Sequence, residues 1–171
     1  MAFSNEAELR AMEIARLLSS LEPGILPEPV FHQVARLSVL SIVELVPLRS
    51  AAGGQTEVLL TQRPLTDHFW PGMLHSPGTA LRSTDDSYDD AISRILVDEL
   101  GHPQLASPPT FVGNLLHRVR RGTESAAIYY VEVVRTPPIG QFFEHRKLPE
   151  SLIETQYDTI SLAVSAFDAS Q

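Results

Sequence analysis

At 171 residues, with 43% hydrophobic and 20% charged side chains, the chain is long enough for one compact domain and is not composed like a disordered one. It has no cysteine, which excludes disulfides, zinc-thiolate sites and a thiol nucleophile. A net charge of −8 argues against a nucleic-acid partner, whose binding needs a basic field.

The N-terminus has no basic segment leading into an apolar core, and no apolar run nears about 18 residues. Neither a signal peptide nor a membrane span is expected, and the cytoplasm is the default location. The first predicted element is instead an amphipathic helix over Glu6 to Leu21, capped by Asn5 with Glu8 three positions on. Its apolar side is Ala7, Ala11, Ile14, Leu17, Leu18 and Leu21, which either packs across a sheet or serves as the arm of a homodimer. Glu22-Pro23-Gly24, then Pro27 and Pro29, end the helix and separate a 1–30 extension from a 31–171 domain. Val39 to Leu48 is β-branched and apolar enough for a long strand, Ser50 to Gln55 reads as a turn, and Glu57 to Thr61 returns.

Ser87-Tyr88-Asp89-Asp90 fits a capping box that opens a helix from Tyr88 to Leu100, with Gly101 as its left-handed cap. Ala91, Ile92, Ile95, Leu96 and Leu100 form its buried stripe, and positions 95, 98 and 99 are spaced to share one neighbouring surface. Further on, Thr110 to Val119 and Ser125 to Val134 flank Arg120-Arg121-Gly122-Thr123 as a hairpin. A mixed β-sheet with helices on both faces, an α/β/α sandwich carrying an added N-terminal helix, is the α/β architecture these elements predict.

Pro77-Gly78, a polar loop, and Arg94-Ile95-Leu96-Val97-Asp98-Glu99-Leu100-Gly101 resemble the Nudix box. In that box a loop, a helix and a second loop present carboxylates to divalent metals and a diphosphate. Three further stretches fit the same family in order and spacing. Glu57 to Pro64 looks like its strand ending in an arginine, here Arg63, and Trp70 to Gly78 like its aromatic approach to the Pro-Gly turn. Phe143 to Pro149 looks like its last strand and Leu-Pro turn, so the resemblance spans roughly Leu37 to Phe167.

The box is degenerate. Ile95 replaces the glutamate of Arg-Glu, Asp98 replaces a longer glutamate, Thr79 replaces a glycine and His102 an aliphatic residue. Asp86 keeps the seven-residue spacing to Arg94 at the cost of a loop two residues longer than the family pattern. An isoleucine can neither ligate nor accept a proton.

The resemblance implies Mg²⁺ or Mn²⁺, weakly bound, on Asp98, Glu99, Asp86 and the backbone carbonyl near Gly78. Arg94, Asp98 and Glu99 would then be the catalytic set, while Arg63, Arg118 and Arg120 would hold a phosphorylated small molecule such as a nucleoside diphosphate derivative. Ordinary readings stand beside these. Arg94 and Asp98 make a surface helical pair, Asp85 and Asp86 are turn and dipole residues, and Arg118, Arg120 and Arg121 form a solvated hairpin end. His68, His75, His117 and His145 lack zinc spacing, although Glu144 or His145 would be the first substitutes for a missing base.

Two functions follow. One is a Nudix-type pyrophosphohydrolase of a nucleoside diphosphate linked to another moiety; the other is a catalytically inactive Nudix-like ligand-binding or regulatory domain. An isomerase of the isopentenyl diphosphate type ranks third, because no cysteine is present to serve as its acid.

Overall fold

The computed structural model describes residues 4–171. Its central strand is β1 (Val39–Ser50), buried without interruption from Ile42 to Leu48. Such a run belongs to a strand covered on both faces. On one side β1 pairs in parallel with β6 (Gly122–Glu132), which pairs antiparallel with β5 (Thr110–Val119). On the other side, the first half of β1 meets β4 (Gly78–Ala80) and its end meets β2 (Thr56–Gln62), both antiparallel. β2 in turn carries β7 (Gln141–Glu144) along Glu57 to Leu60 and β3 (Leu74–His75) at Thr61 and Gln62. The sheet is therefore mixed, as expected.

Strand alternation sends the apolar side chains of β1 into two cores. Ile42, Val46 and Leu48 pack with Ile160, Val164 and Phe167 of α4 (Gln156–Asp168) on one face. Val43 and Leu45 pack with Ala91 and Ile92 of α3 (Tyr88–Arg94) on the other. Helices on opposite faces complete the predicted α/β/α sandwich. Among the described residues, no helix is long and apolar enough to cross a membrane.

The N-terminal region departs from the sequence expectation. α1 spans Asn5–Leu18, three residues short of the predicted end, and Ser4 rather than Asn5 is its cap, accepting the Ala7 N–H at 3.3 Å. None of its residues is buried, and Leu9, Met12, Ile14 and Leu17 are each more than half exposed. The packed-across-the-sheet alternative fails for α1. What lies on the sheet is α2 (Glu28–Leu37), unforeseen because Pro27 and Pro29 look like breakers; Pro27 is the cap and Pro29 sits in the first turn, where proline is tolerated. α2 runs across residue 30, where the sequence divides extension from domain, and it rests on the hairpin end. A Cβ on Gly122 (φ 151°) would lie 2.0 Å from the Ala35 carbonyl oxygen, so this approach requires glycine.

Because no residue of α1 is buried, removing residues 1–18 is expected to shift Tm by no more than about 2 °C in scanning calorimetry. A fall beyond about 6 °C, or a halved mass in light scattering, would assign the apolar stripe to a second copy.

Candidate functional site

The capping box forms as read: Ser87 and Asp90 satisfy each other's backbone N–H groups at the start of α3. The helix then changes character. Ile95–Glu99 is a π-helical turn, closed by the Leu100 N–H on the Ile95 carbonyl at 3.2 Å. A π turn widens the spiral by one residue and re-aims the side chains beyond it. The predicted common surface of positions 95, 98 and 99 is absent, because Ile95 stays with Ala91 and Ile92 while the turn after it is widened. Ile95 is 1% exposed in the α3-side core, Asp98 is exposed, and Glu99 is half-buried.

Gly101 does cap the helix, at φ 65°, and the His102 N–H closes back on the Leu96 carbonyl at 2.9 Å. A side chain at Gly101 would also press on Pro138, its Cβ 2.8 Å from the ring.

Arg94 turns to Asp85, not to Asp98 or Asp86. Both guanidinium NH₂ groups reach the Asp85 carboxylate, one of them at 2.9 Å, and the latter also donates to the Ala80 carbonyl at 3.2 Å. The Arg82 N–H adds a bond at 2.8 Å, so both Asp85 oxygens are engaged, and Arg94 foremost holds its carboxyl below the ordinary value. Asp86 is exposed and gives its N–H to Asp90. Only Glu99 reaches the Pro-Gly turn. Burial pushes its carboxyl up to about 7, against the opposing pull of the Gly78 backbone and the Arg63 charge.

Ile95 thus supplies no donor, Asp85 is consumed by an ion pair, and Asp86 and Asp98 face solvent. Among the described residues no three His, Asp or Glu side chains gather to hold an ion. This donor set does not fit the carboxylate cluster that the resemblance implies.

On the α4 face, beside the same turn, lies a cavity of about 650 Å³. Its floor is built around Glu44, which projects from β1 at the residue paired with Gly78 and is 7% exposed. The Gln156 side-chain NH₂ donates to both Glu44 oxygens, at 3.0 and 2.8 Å, and the Gln156 carbonyl accepts the Ser76 N–H at 2.9 Å. Burial pushes the Glu44 carboxyl up to about 7, with Glu124 and Glu99 adding to the effect against Gln156 and Arg121. The Ser76 hydroxyl is fully buried and has no partner. His75 lies beside it, its Nε2 3.2 Å from the Thr61 hydroxyl, and burial lowers it to about 4.

Three arginines line this space, Arg63, Arg82 and Arg121, and the first and last of them are already paired. Arg63 bonds Asp67 at 2.9 Å through Nε, and Arg121 bonds Glu124 while its guanidinium stands 5.1 Å from the Trp70 ring centre. Asp67, pushed up by burial, is nonetheless held at about 2 by the Trp70 N–H, Arg63 and the Phe69 N–H. Arg118 and Arg120 are exposed outside the cavity, Arg120 donating to the Phe69 carbonyl at 2.8 Å. Glu144 pairs with Lys147 at 2.8 Å, and His145 bonds the Thr56 carbonyl at 3.0 Å at the far end of β2, so neither approaches the box. His117 is buried 3.3 Å from the Thr159 hydroxyl, and His68 is exposed beside His32. Glu44 was missed in the sequence; its signal was a lone acid within the apolar run Ser41 to Leu48.

A mixed sheet between two helical layers, with a loop-helix-loop unit packed on one face, is the Nudix fold. Known structures agree. The Nudix domain of Shewanella oneidensis NrtR complexed with ADP-ribose matches with a TM-score of 0.60 at 17% identity, over 90% of this chain and 97% of that one. A mutT/nudix family protein from Listeria innocua matches at 0.60 and 20% identity, over 77% and 95% of the two chains. A C. elegans Ap4A hydrolase matches at 0.55 and 15% identity, over 78% and 100%. No protein-family profile and no curated protein sequence matches the chain.

Proposed function

We propose that this chain is a Nudix-fold ligand-binding domain that has given up metal-dependent hydrolysis and holds its ligand in the cavity around Glu44. The observation that carries this reading is Ile95, 1% exposed in the core where the hydrolase box needs a glutamate. The cavity supplies the rest: its volume lies in the range of small-molecule sites, with apolar walls and a few convergent polar groups. A Nudix domain such as that of NrtR, seen with ADP-ribose, is a precedent for ligand binding on this fold.

One observation favours the hydrolase reading, with a nucleoside diphosphate derivative as substrate and Mg²⁺ or Mn²⁺ as cofactor. Glu99 lies beside Gly78, and the resemblance puts the metal on Glu99 and on the backbone carbonyl near Gly78. The two readings separate in one experiment. Calorimetric titration of the full chain with Mg²⁺ and Mn²⁺ is expected to give millimolar affinity, about −4 kcal/mol or weaker, because too few oxygens converge. ADP-ribose and diadenosine polyphosphates should survive overnight incubation with either metal. Micromolar metal affinity, or metal-dependent turnover abolished by Glu99→Gln, would reverse the assignment.

A further inference from the structure

The roof and the floor of the cavity are unlike in chemistry. The roof comes from the N-terminal arm, through Leu21, Ile25, Leu26 and, from α2, Val30, Phe31 and Val34. All six are apolar, and Trp70 adds an aromatic wall. The floor is polar but electrically balanced. Arg63 is matched by Asp67 and Arg121 by Glu124, while Glu44 adds an acid and Glu22 lies at the border. Arg82 is the remaining arginine on the lining.

A diphosphate brings at least two negative charges and is gripped by unengaged guanidinium forks, helix N-termini or metal ions. Beside Glu44 it would meet a carboxyl and two arginines already spent on carboxylates, which leaves Arg82 as the one lining arginine without a carboxylate bonded to its guanidinium among the described residues. What this floor offers instead is hydrogen bonding. Gln156 fixes the Glu44 oxygens in place from one side, and the buried Ser76 hydroxyl waits without a partner, a rare condition for a buried polar atom.

We propose that the cavity takes an uncharged amphiphile: a hydrocarbon body under the N-terminal arm, with a hydrogen-bonding head of the amide type set between Glu44 and the Ser76 hydroxyl. This rests on the ligand-binding reading above and narrows it to a class. The head would accept from Ser76 and donate to Glu44, closing the one open hydrogen bond of the floor. The body would replace water against the exposed Ile25 and the partly buried Leu26 and Phe31. The arm is then the element that selects the ligand.

Trp70, the only tryptophan, lies on the cavity wall and reports on its occupancy directly. Octanamide, octanoate and ADP-ribose should each be titrated to 1 mM against the full chain by tryptophan fluorescence. Octanamide is expected to saturate the signal with an affinity at least tenfold better than octanoate or ADP-ribose. Ser76→Ala should weaken octanamide at least fivefold without loss of Tm, since that hydroxyl has no partner to lose, and Phe31→Ser should weaken it similarly. Saturable ADP-ribose binding stronger than that of octanamide would overturn the uncharged class while leaving a ligand-binding domain. Failure of octanamide to bind by 1 mM overturns it too, and metal-dependent turnover of ADP-ribose would overturn both readings.

Discussion

Ile95→Glu is expected to destabilise the chain by about 3–5 kcal/mol and to bring no metal-dependent activity, the largest single-residue effect anticipated for this fold. The reason is position. Ile95 sits at 1% exposure among Val43, Leu45, Leu59, Val131 and Val133, and none of these offers a hydrogen bond to a carboxylate. A glutamate there must either stay charged without a partner or take up a proton and remain a polar group without one. For a chain of this length each 1 kcal/mol lowers Tm by roughly 2–4 °C, so the variant should melt on the order of 10 °C earlier. Ile95→Val serves as the control, costing about 1 kcal/mol for one lost methylene. Urea denaturation measures both. A well-folded Ile95→Glu that gains Mg²⁺-dependent turnover would show that the helix can roll to bring position 95 to the box surface.

That π turn explains why the fold was readable and the site only partly so. Elements set by local pattern came through: the apolar run of β1, the Ser87 to Asp90 capping box, and Gly101 at φ 65°. Each depends on neighbours within a few residues, which the sequence displays. The box surface depended on helical phase: Ile95 keeps to the buried stripe of Ala91 and Ile92, as its spacing predicts, while the widened turn that starts there leaves Asp98 in solvent. Asp85 and Asp86 are equally good partners for Arg94 by composition, and only the path of the loop back to Arg82 and Ala80 chooses Asp85. α2 was hidden by its prolines, whose penalty disappears in a first turn. Glu44 belongs to a further kind, a residue whose meaning comes from partners more than a hundred positions away, through Gln156.

The second large effect is a stability that rises as the solution is acidified from pH 7.5 to 4.5. Glu44 and Glu99 titrate near 7 in the folded chain against 4.5 for an ordinary glutamate, so folding takes up protons on both across that window. Raised carboxyl values favour the folded state at low pH and work against it once pH passes the folded value. His75 acts oppositely: lowered to about 4 from 6.5, it makes the unfolded chain the better proton acceptor between those values. Two glutamates against one histidine leave a net uptake of about one proton, worth about 1.4 kcal/mol per pH unit over roughly pH 4.5 to 6.5. The whole gain should be about 3 kcal/mol in denaturant midpoints converted at constant m. Below the ordinary value of 3.8 the trend reverses, because Asp67, held at about 2, must then be protonated in a fold that binds its anion. Glu44→Gln removes one of the two glutamate contributions, since glutamine keeps an oxygen for the Gln156 NH₂ but cannot ionise. With one glutamate left to balance one histidine, that variant should show a nearly flat profile from pH 4.5 to 6.5. It should also be the more stable protein at pH 7.5. An unchanged slope in the variant, or a parent chain that gains stability between pH 5 and 7.5, would show that Glu44 does not carry a buried proton and that the cavity floor is wetter than its 7% exposure implies.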